Sequence, residues 1–164
     1  MPYVKIWLHC VWGTKSRKPF LIPDKKMVII NHIRLNAIKN GIYIDFLNGY
    51  SEHLHCLLQL PPDKSLSKVM QLIKGESSRW INQNLRLKYK FEWADEYFSM
   101  SVSESGVRNV RQYIRNQEEH HRKETWEAEY EKLVDIYGFE EHTTCSTDPA
   151  FQGGDETAPL HLFH

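Results

Sequence analysis

Short runs rich in β-branched and aromatic residues alternate with stretches of helical periodicity, and their order leaves this chain very few architectures. Val4–Val11 reads as a first strand, followed by the Gly- and Pro-punctuated basic loop GTKSRKPFLIP. A helix is expected from a cap at Asp24 to Asn40, with Met27, Ile30, Ile33 and Ile38 on its apolar face and Gly41 beyond its end. Ile42–Asn48 and Glu52–Leu60, separated by GYS, read as a hairpin. After the PPD break, Ser65 or Ser67 opens a second helix reaching about Leu87, with Leu66, Val69, Leu72 and Ile73 as its stripe. Tyr97–Val102 alternates as a fourth strand, and Ser103 or Ser105 caps a third helix expected from Gly106 to Lys123. ETWEAEYEKLVDIYG is helical again and ends at Gly138. The order strand–helix–strand–strand–helix–strand predicts an α+β, ferredoxin-like split β-α-β domain. Its antiparallel sheet is expected to carry helices on one face, with extra C-terminal helices, and to leave the other face free for a ligand.

The 164 residues suit one domain, expected over 1–123, with an acidic helical extension over 124–141 and a disordered, aperiodic tail over 142–164. Formal net charge is zero, yet the charges are segregated. Residues 1–117 hold 18 Lys and Arg against 9 Asp and Glu, whereas residues 118–164 hold 3 against 12. A basic body suits a polyanionic partner such as nucleic acid, and an acidic helix folded across a solvated surface is the plainer alternative. No apolar run approaches the ~20 residues of a membrane helix. Cys10, Cys56 and Cys145 are odd in number and widely spaced, which argues against a disulfide framework and for a reducing cytoplasm.

The third expected strand contains SEHLHCLLQL, with two imidazoles in an apolar run. Strand alternation puts His53 and His55 on one face and Leu54 and Cys56 on the other, toward the helices. Two adjacent imidazoles bind a divalent metal when a third ligand is supplied elsewhere; otherwise they are ordinary polar residues on a wet sheet face. In the third helix, Val107, Val110 and Ile114 form the buried stripe, and Tyr113 and Gln117 share the side next to it, at i and i+4. A tyrosine is a possible nucleophile, or a boundary residue that buries its ring and wets its hydroxyl. His120 and His121 read as exposed at the end of that helix, Trp80 and Trp93 as core, and Cys56 as pointing away from any site that His53 and His55 form.

SEHLHCLLQLPP, LIKGESSRWIN and YFSMSVSESGVRNVRQYIRNQ, together with VWGTKSRKPFL, resemble the single-tyrosine HUH transposases of bacterial insertion sequences, of which the REP-associated tyrosine transposases are a domesticated branch. The resemblance runs over roughly residues 3 to 123. It implies that 1–123 is an HUH endonuclease domain in which His53 and His55 are the two histidines, Tyr113 the nucleophile and Gln117 the third metal ligand. Glu52 stands where the family often has Asp, and the acidic stretch after Lys123 is not part of the core pattern.

The implied chemistry is metal-dependent nicking and strand transfer of single-stranded DNA bearing a hairpin, through a 5′-phosphotyrosine. Mg2+ or Mn2+ suits two nitrogens and an amide oxygen. A phenol of pKa ~10 ionises more readily beside a cation. Lys15, Arg17 and Lys18 in the first loop, Lys74 and Arg79 on the second helix, and Arg108, Arg111 and Arg115 on the third are candidate phosphate contacts. A homodimer is implied; no membrane contact or nucleotide cofactor is expected, there being no G-x-x-x-x-G-K-[ST] loop. Two alternatives remain: a catalytically inactive nucleic-acid-binding module on the same fold, and a plasmid-type replication initiator of the same superfamily.

Overall fold

The computed structural model describes residues 3–137. Its elements are β1 (Trp7–Gly13), a 3-10 turn (Lys15–Arg17), α1 (Pro23–Lys39), β2 (Tyr43–Gly49), β3 (His53–Gln59), α2 (Leu66–Asn84), β4 (Phe98–Val102), a second 3-10 turn (Glu104–Gly106), α3 (Val107–Arg115), α4 (Gln117–His121) and α5 (Trp126–Tyr137). The four strands form one antiparallel sheet in the order β2-β3-β1-β4, so the α+β, split β-α-β plan holds. The expected tail at 142–164 lies outside the described residues.

Alternation divides the sheet. Leu8, Cys10 and Trp12 of β1 and Leu54, Cys56 and Leu58 of β3 pack with Ile29, Ile30 and Ile33 of α1 and Val69, Met70 and Ile73 of α2. The opposite face is covered too, contrary to the free face expected. Trp7 and Leu57 pack with Val107 and Ile114 of α3, while Val11 and Met100 pack with Trp126 and Leu133 of α5. The physical reason is that both parities of β1 and β3 carry apolar side chains, so neither face is left to water.

Local chemistry sets the ends. Pro23 starts α1 at its first turn, where its missing N–H costs nothing, so Asp24 lies inside the helix instead of capping it. The buried side of α1 is Lys26, Ile29, Ile30, Ile33 and Ala37; Met27 and Ile38 are exposed. The Ser65 side chain accepts from Lys68 N and caps α2. Gly41 takes φ 67°, the left-handed conformation that follows many helices. A β-bulge lies between Ile44 and Phe46, and the extra residue, Asp45, accepts Arg111 Nε at 2.7 Å and Nη2 at 2.9 Å. At Gly49 a Cβ would collide with the His53 carbonyl, so the tight turn that presents His53 admits no side chain there.

The third helix is not continuous to Lys123. It breaks at Asn116, and Asn48 of β2 donates to the carbonyls of Ile114 and Arg115 at 3.1 and 3.3 Å. Those last carbonyls are thereby satisfied by the sheet instead of by a further helical turn.

Candidate active site

The site is built on β3. His53 and His55 are fully buried and point to the α3–α5 side, their ring centroids 5.0 Å apart. Each is oriented through Nδ1. His53 Nδ1 faces Glu52 Oε1 at 3.2 Å, and the Ser51 hydroxyl donates to the other Glu52 oxygen. His55 Nδ1 meets His9 Nε2 of β1 at 2.9 Å. A proton on each Nδ1 leaves both Nε2 atoms as lone pairs.

Those lone pairs meet acceptors. The Gln117 amide nitrogen donates to the Tyr113 carbonyl at 3.5 Å, which turns Oε1 toward His53 Nε2, 3.3 Å away. The Glu129 carboxylate of α5 sits 3.5 Å from His53 Nε2 and 3.4 Å from His55 Nε2. Ligand atoms of His53, His55 and Glu129 all lie within 4.8 Å of one another. His55 Nε2 is buried without a hydrogen-bond partner, and Glu129 Oε2 has the His121 imidazole beside it, 2.9 Å away. Two nitrogen lone pairs, a carboxylate and an amide oxygen converging without enough protons to share is the donor chemistry of a divalent-cation site.

Tyr113 donates its hydroxyl to Glu129 Oε1, with its ring centroid 5.6 Å from His55 and 6.1 Å from His9. Burial and the Glu129 carboxylate push the phenol well above the usual tyrosine range. The nearest charge is thus an anion, where a cation was expected to favour the phenolate. Burial by itself raises Glu129, but the imidazoles of His121 and His55 outweigh it and hold the carboxyl well below its usual range. Burial lowers His55 to about 4 and, with His55 beside it, His9 to about 3.

His120 and His121 do not lie exposed. His121 Nε2 is 2.9 Å from Glu129 Oε2 and its ring stacks on Tyr50 at 4.9 Å, while His120 packs edge-on to Tyr113 at 5.3 Å. Trp126 stacks on His53 at 4.2 Å. Trp93 is buried in the α1–α2 core, and Trp80 is half-buried against His32 at 4.1 Å. Cys56 points to that core, as expected.

The basic candidates are scattered. Arg17 pairs with Glu127 of α5 at 2.9 Å, Lys15 with Glu92 at 3.2 Å, and Arg111 is held by Asp45. Arg115 lies over Phe46, and Arg108 is exposed on α3. Lys74 donates to the carbonyls of Asp95 and Glu96, and with Arg79 it rides on α2, across the sheet from the histidines. Lys18 is exposed in the first loop.

Sequence reasoning missed Glu129 and His9. Glu129 falls in the stripe Trp126–Glu129–Tyr130–Leu133, and a carboxylate on an otherwise apolar helix face was its signal. His9 sits between Trp7 and Val11 on the parity that faces His55.

A family profile described as "Transposase IS200 like" matches residues 2–117. The chain belongs to the IS200-like transposase family. It is 25% identical over 114 residues to the transposase for insertion sequence element IS200 of Salmonella typhimurium LT2, covering 66% of this chain and 74% of that one. It is equally similar to the ISDra2 transposase TnpA of Deinococcus radiodurans, covering 66% and 81%. A solved structure of a candidate transposase from Deinococcus radiodurans R1 superposes with TM-score 0.58 at 28% identity, covering 71% of this chain and 95% of that one. A REP-associated tyrosine transposase bound to a REP hairpin shares the fold, with TM-score 0.57 at 18% identity, covering 74% and 72%. This IS200-like transposase is therefore a DNA-binding protein of DNA recombination. Among its described residues no helix is long and apolar enough to cross a membrane.

Proposed function

We propose that this transposase nicks and rejoins single-stranded DNA next to a hairpin, with Tyr113 as nucleophile and a divalent ion, Mg2+ or Mn2+, held by His53, His55, Gln117 and Glu129. The observation that carries the reading is that the Tyr113 phenol is bonded to Glu129, whose carboxylate lies beside both histidines, inside one chain. The domain is taken as 1–123 plus α5, because α5 contributes Glu129 to that centre.

The ion supplies Lewis-acid stabilisation of charge on the scissile phosphate. The protein's residues do the rest. Glu52 and His9 hold the two imidazoles in the tautomer that directs Nε2 inward. The Tyr113 oxygen attacks phosphorus, the P–O3′ bond breaks, and the phenol proton moves by way of the adjacent Glu129 carboxylate to the departing O3′. The products are a 5′-phosphotyrosine and a free 3′-hydroxyl. Attack by a 3′-hydroxyl on that ester restores a phosphodiester and the phenol, so no nucleotide triphosphate is consumed. The relative described as bound to a REP hairpin supports a hairpin substrate. A centre complete within one chain supports cleavage in cis; the expected homodimer then serves strand exchange rather than assembly of the nick site.

The inactive binding module is the second reading, favoured by the Tyr113 hydroxyl being tied to the Glu129 carboxylate. The test is a denaturing gel after incubation of the full chain with hairpin oligonucleotides and Mn2+ or Mg2+. A covalent protein–DNA adduct is expected, absent in Tyr113→Phe and with chelator. Full adduct yield from Tyr113→Phe would remove Tyr113 as nucleophile; no adduct from any hairpin favours the binding module.

A further inference from the structure

A second concave surface lies outside the site. The first loop and the segment after α2 enclose a groove of about 400 Å³ lined by Lys15, Lys18, Lys25, Arg86, Lys88 and Lys90. Against those six cations stands one carboxylate, Glu92, already shared by Lys15 and Lys90 at 3.2 and 3.6 Å. Lys18, Arg86 and Lys88 have no carboxylate partner among the described residues, and Lys25 lies 4.8 Å from the Phe20 ring centre. Tyr89 projects from the same wall with 79% of its surface exposed. A trough of unneutralised cations beside a free aromatic ring is the combination that tracks a phosphodiester backbone and stacks a base.

The groove is fixed relative to the active site. Lys15 N donates to the Glu92 carbonyl at 3.0 Å, Thr14 bridges to Trp93, and Ala94 N donates to the Gly13 carbonyl at 2.9 Å. Gly13 is the register partner of His53, and Thr14 N donates to the Glu52 carbonyl at 2.7 Å. The groove thus opens at the end of the sheet where His53 stands. The other side of the same loop, Ser16 and Arg17, lines a second cavity of about 320 Å³ with Trp126, whose ring covers His53. A strand lying in the groove needs only to round this loop to approach the histidines.

We propose that this groove binds single-stranded DNA, with Lys18, Lys25, Arg86 and Lys88 on phosphates and one base stacked on Tyr89. The proposal deepens the nicking function and rests on it for the identity of the polyanion. The test is fluorescence anisotropy of a labelled, unstructured oligonucleotide with the full chain, in chelator so that no cleavage intervenes, across a salt series. Arg86→Ala with Lys88→Ala lowers affinity and flattens the plot of log affinity against log salt by about 0.7 per lost phosphate contact. Tyr89→Ala lowers affinity about tenfold and Tyr89→Phe restores it. Lys39→Ala with Lys68→Ala, an equal charge loss on exposed helix positions elsewhere, is the control. Groove variants indistinguishable from that control, or Tyr89→Ala binding like the parent, overturn the proposal. The hairpin adduct separates the two ideas: an adduct from the parent with unaffected groove variants defeats only the groove. Groove-dependent binding without any adduct defeats only the nicking function.

Discussion

The two faces of the sheet share their strands and differ in almost everything else. Under α1 and α2, Leu54, Cys56 and Leu58 lie in a cluster of aliphatic and aromatic side chains. Under α3–α5, the intervening His53 and His55 meet a carboxylate, an amide and a phenol, with His55 Nε2 buried and without a hydrogen-bond partner. Buried polar atoms without partners are costly, so the second face is retained at the expense of stability that the first face supplies. Adjacent residues on one strand therefore do opposite jobs, and the division falls at every peptide bond from His53 to Cys56.

Substituting neighbours is the most direct attempt to break that division. His53→Ala is expected to abolish adduct formation and the rise in melting temperature that Mn2+ gives the parent, because an ion that binds only the native state stabilises by mass action. Leu54→Ala, one residue on, should cost ~2–5 kcal/mol of stability while the folded fraction keeps its metal response. With ~2–4 °C per kcal/mol for a chain of this size, thermal melts read both outcomes together. A Leu54→Ala protein that melts normally but no longer responds to metal would show that the faces are not separable.

A smaller effect sharpens the assignment of the second face. His9 meets His55 Nδ1 and is argued to act through it. His9→Phe keeps an aromatic ring but removes that partner, and ~10–100-fold weaker Mn2+ binding by calorimetry is expected. Unchanged affinity would reduce His9 to packing.

The parity of β3 was legible in the sequence because a strand's period is two and the apolar run is unbroken around the histidines. The i, i+4 spacing of Tyr113 and Gln117 was legible too, and Gln117 reaches the centre although the helix breaks between them at Asn116. That break was not legible, because it depends on Asn48 of β2 satisfying the carbonyls of Ile114 and Arg115. On α1, apolar residues occur all round, and pattern alone could not rank exposed Met27 and Ile38 below Ile29 and Ala37. The acidic composition after Lys123 hid Glu129, since net charge reads as solvated surface while burial depends on the Trp126–Leu133 stripe. His120 and His121 were misplaced for the same reason: only the return of α5 buries them.

The smallest expected effect is none, and it tests the first face. Cys10 and Cys56 are register partners on β1 and β3, both buried and free. Burial pushes the Cys10 thiol up to about 11 and Cys56 well above its usual value, so both shifts disfavour the thiolate. At pH 8, three pH units below the Cys10 value, about one thiol in a thousand is ionised even before access is considered. Iodoacetamide applied to the native protein at that pH should leave both unmodified by peptide mass spectrometry, and full labelling should appear on unfolding in denaturant. Metal should not alter the result, since the ion's ligands lie across the sheet. Native labelling of either cysteine would mean that the α1–α2 side opens readily, and the contrast between a closed structural face and a chemically equipped one would fail at its firmer end.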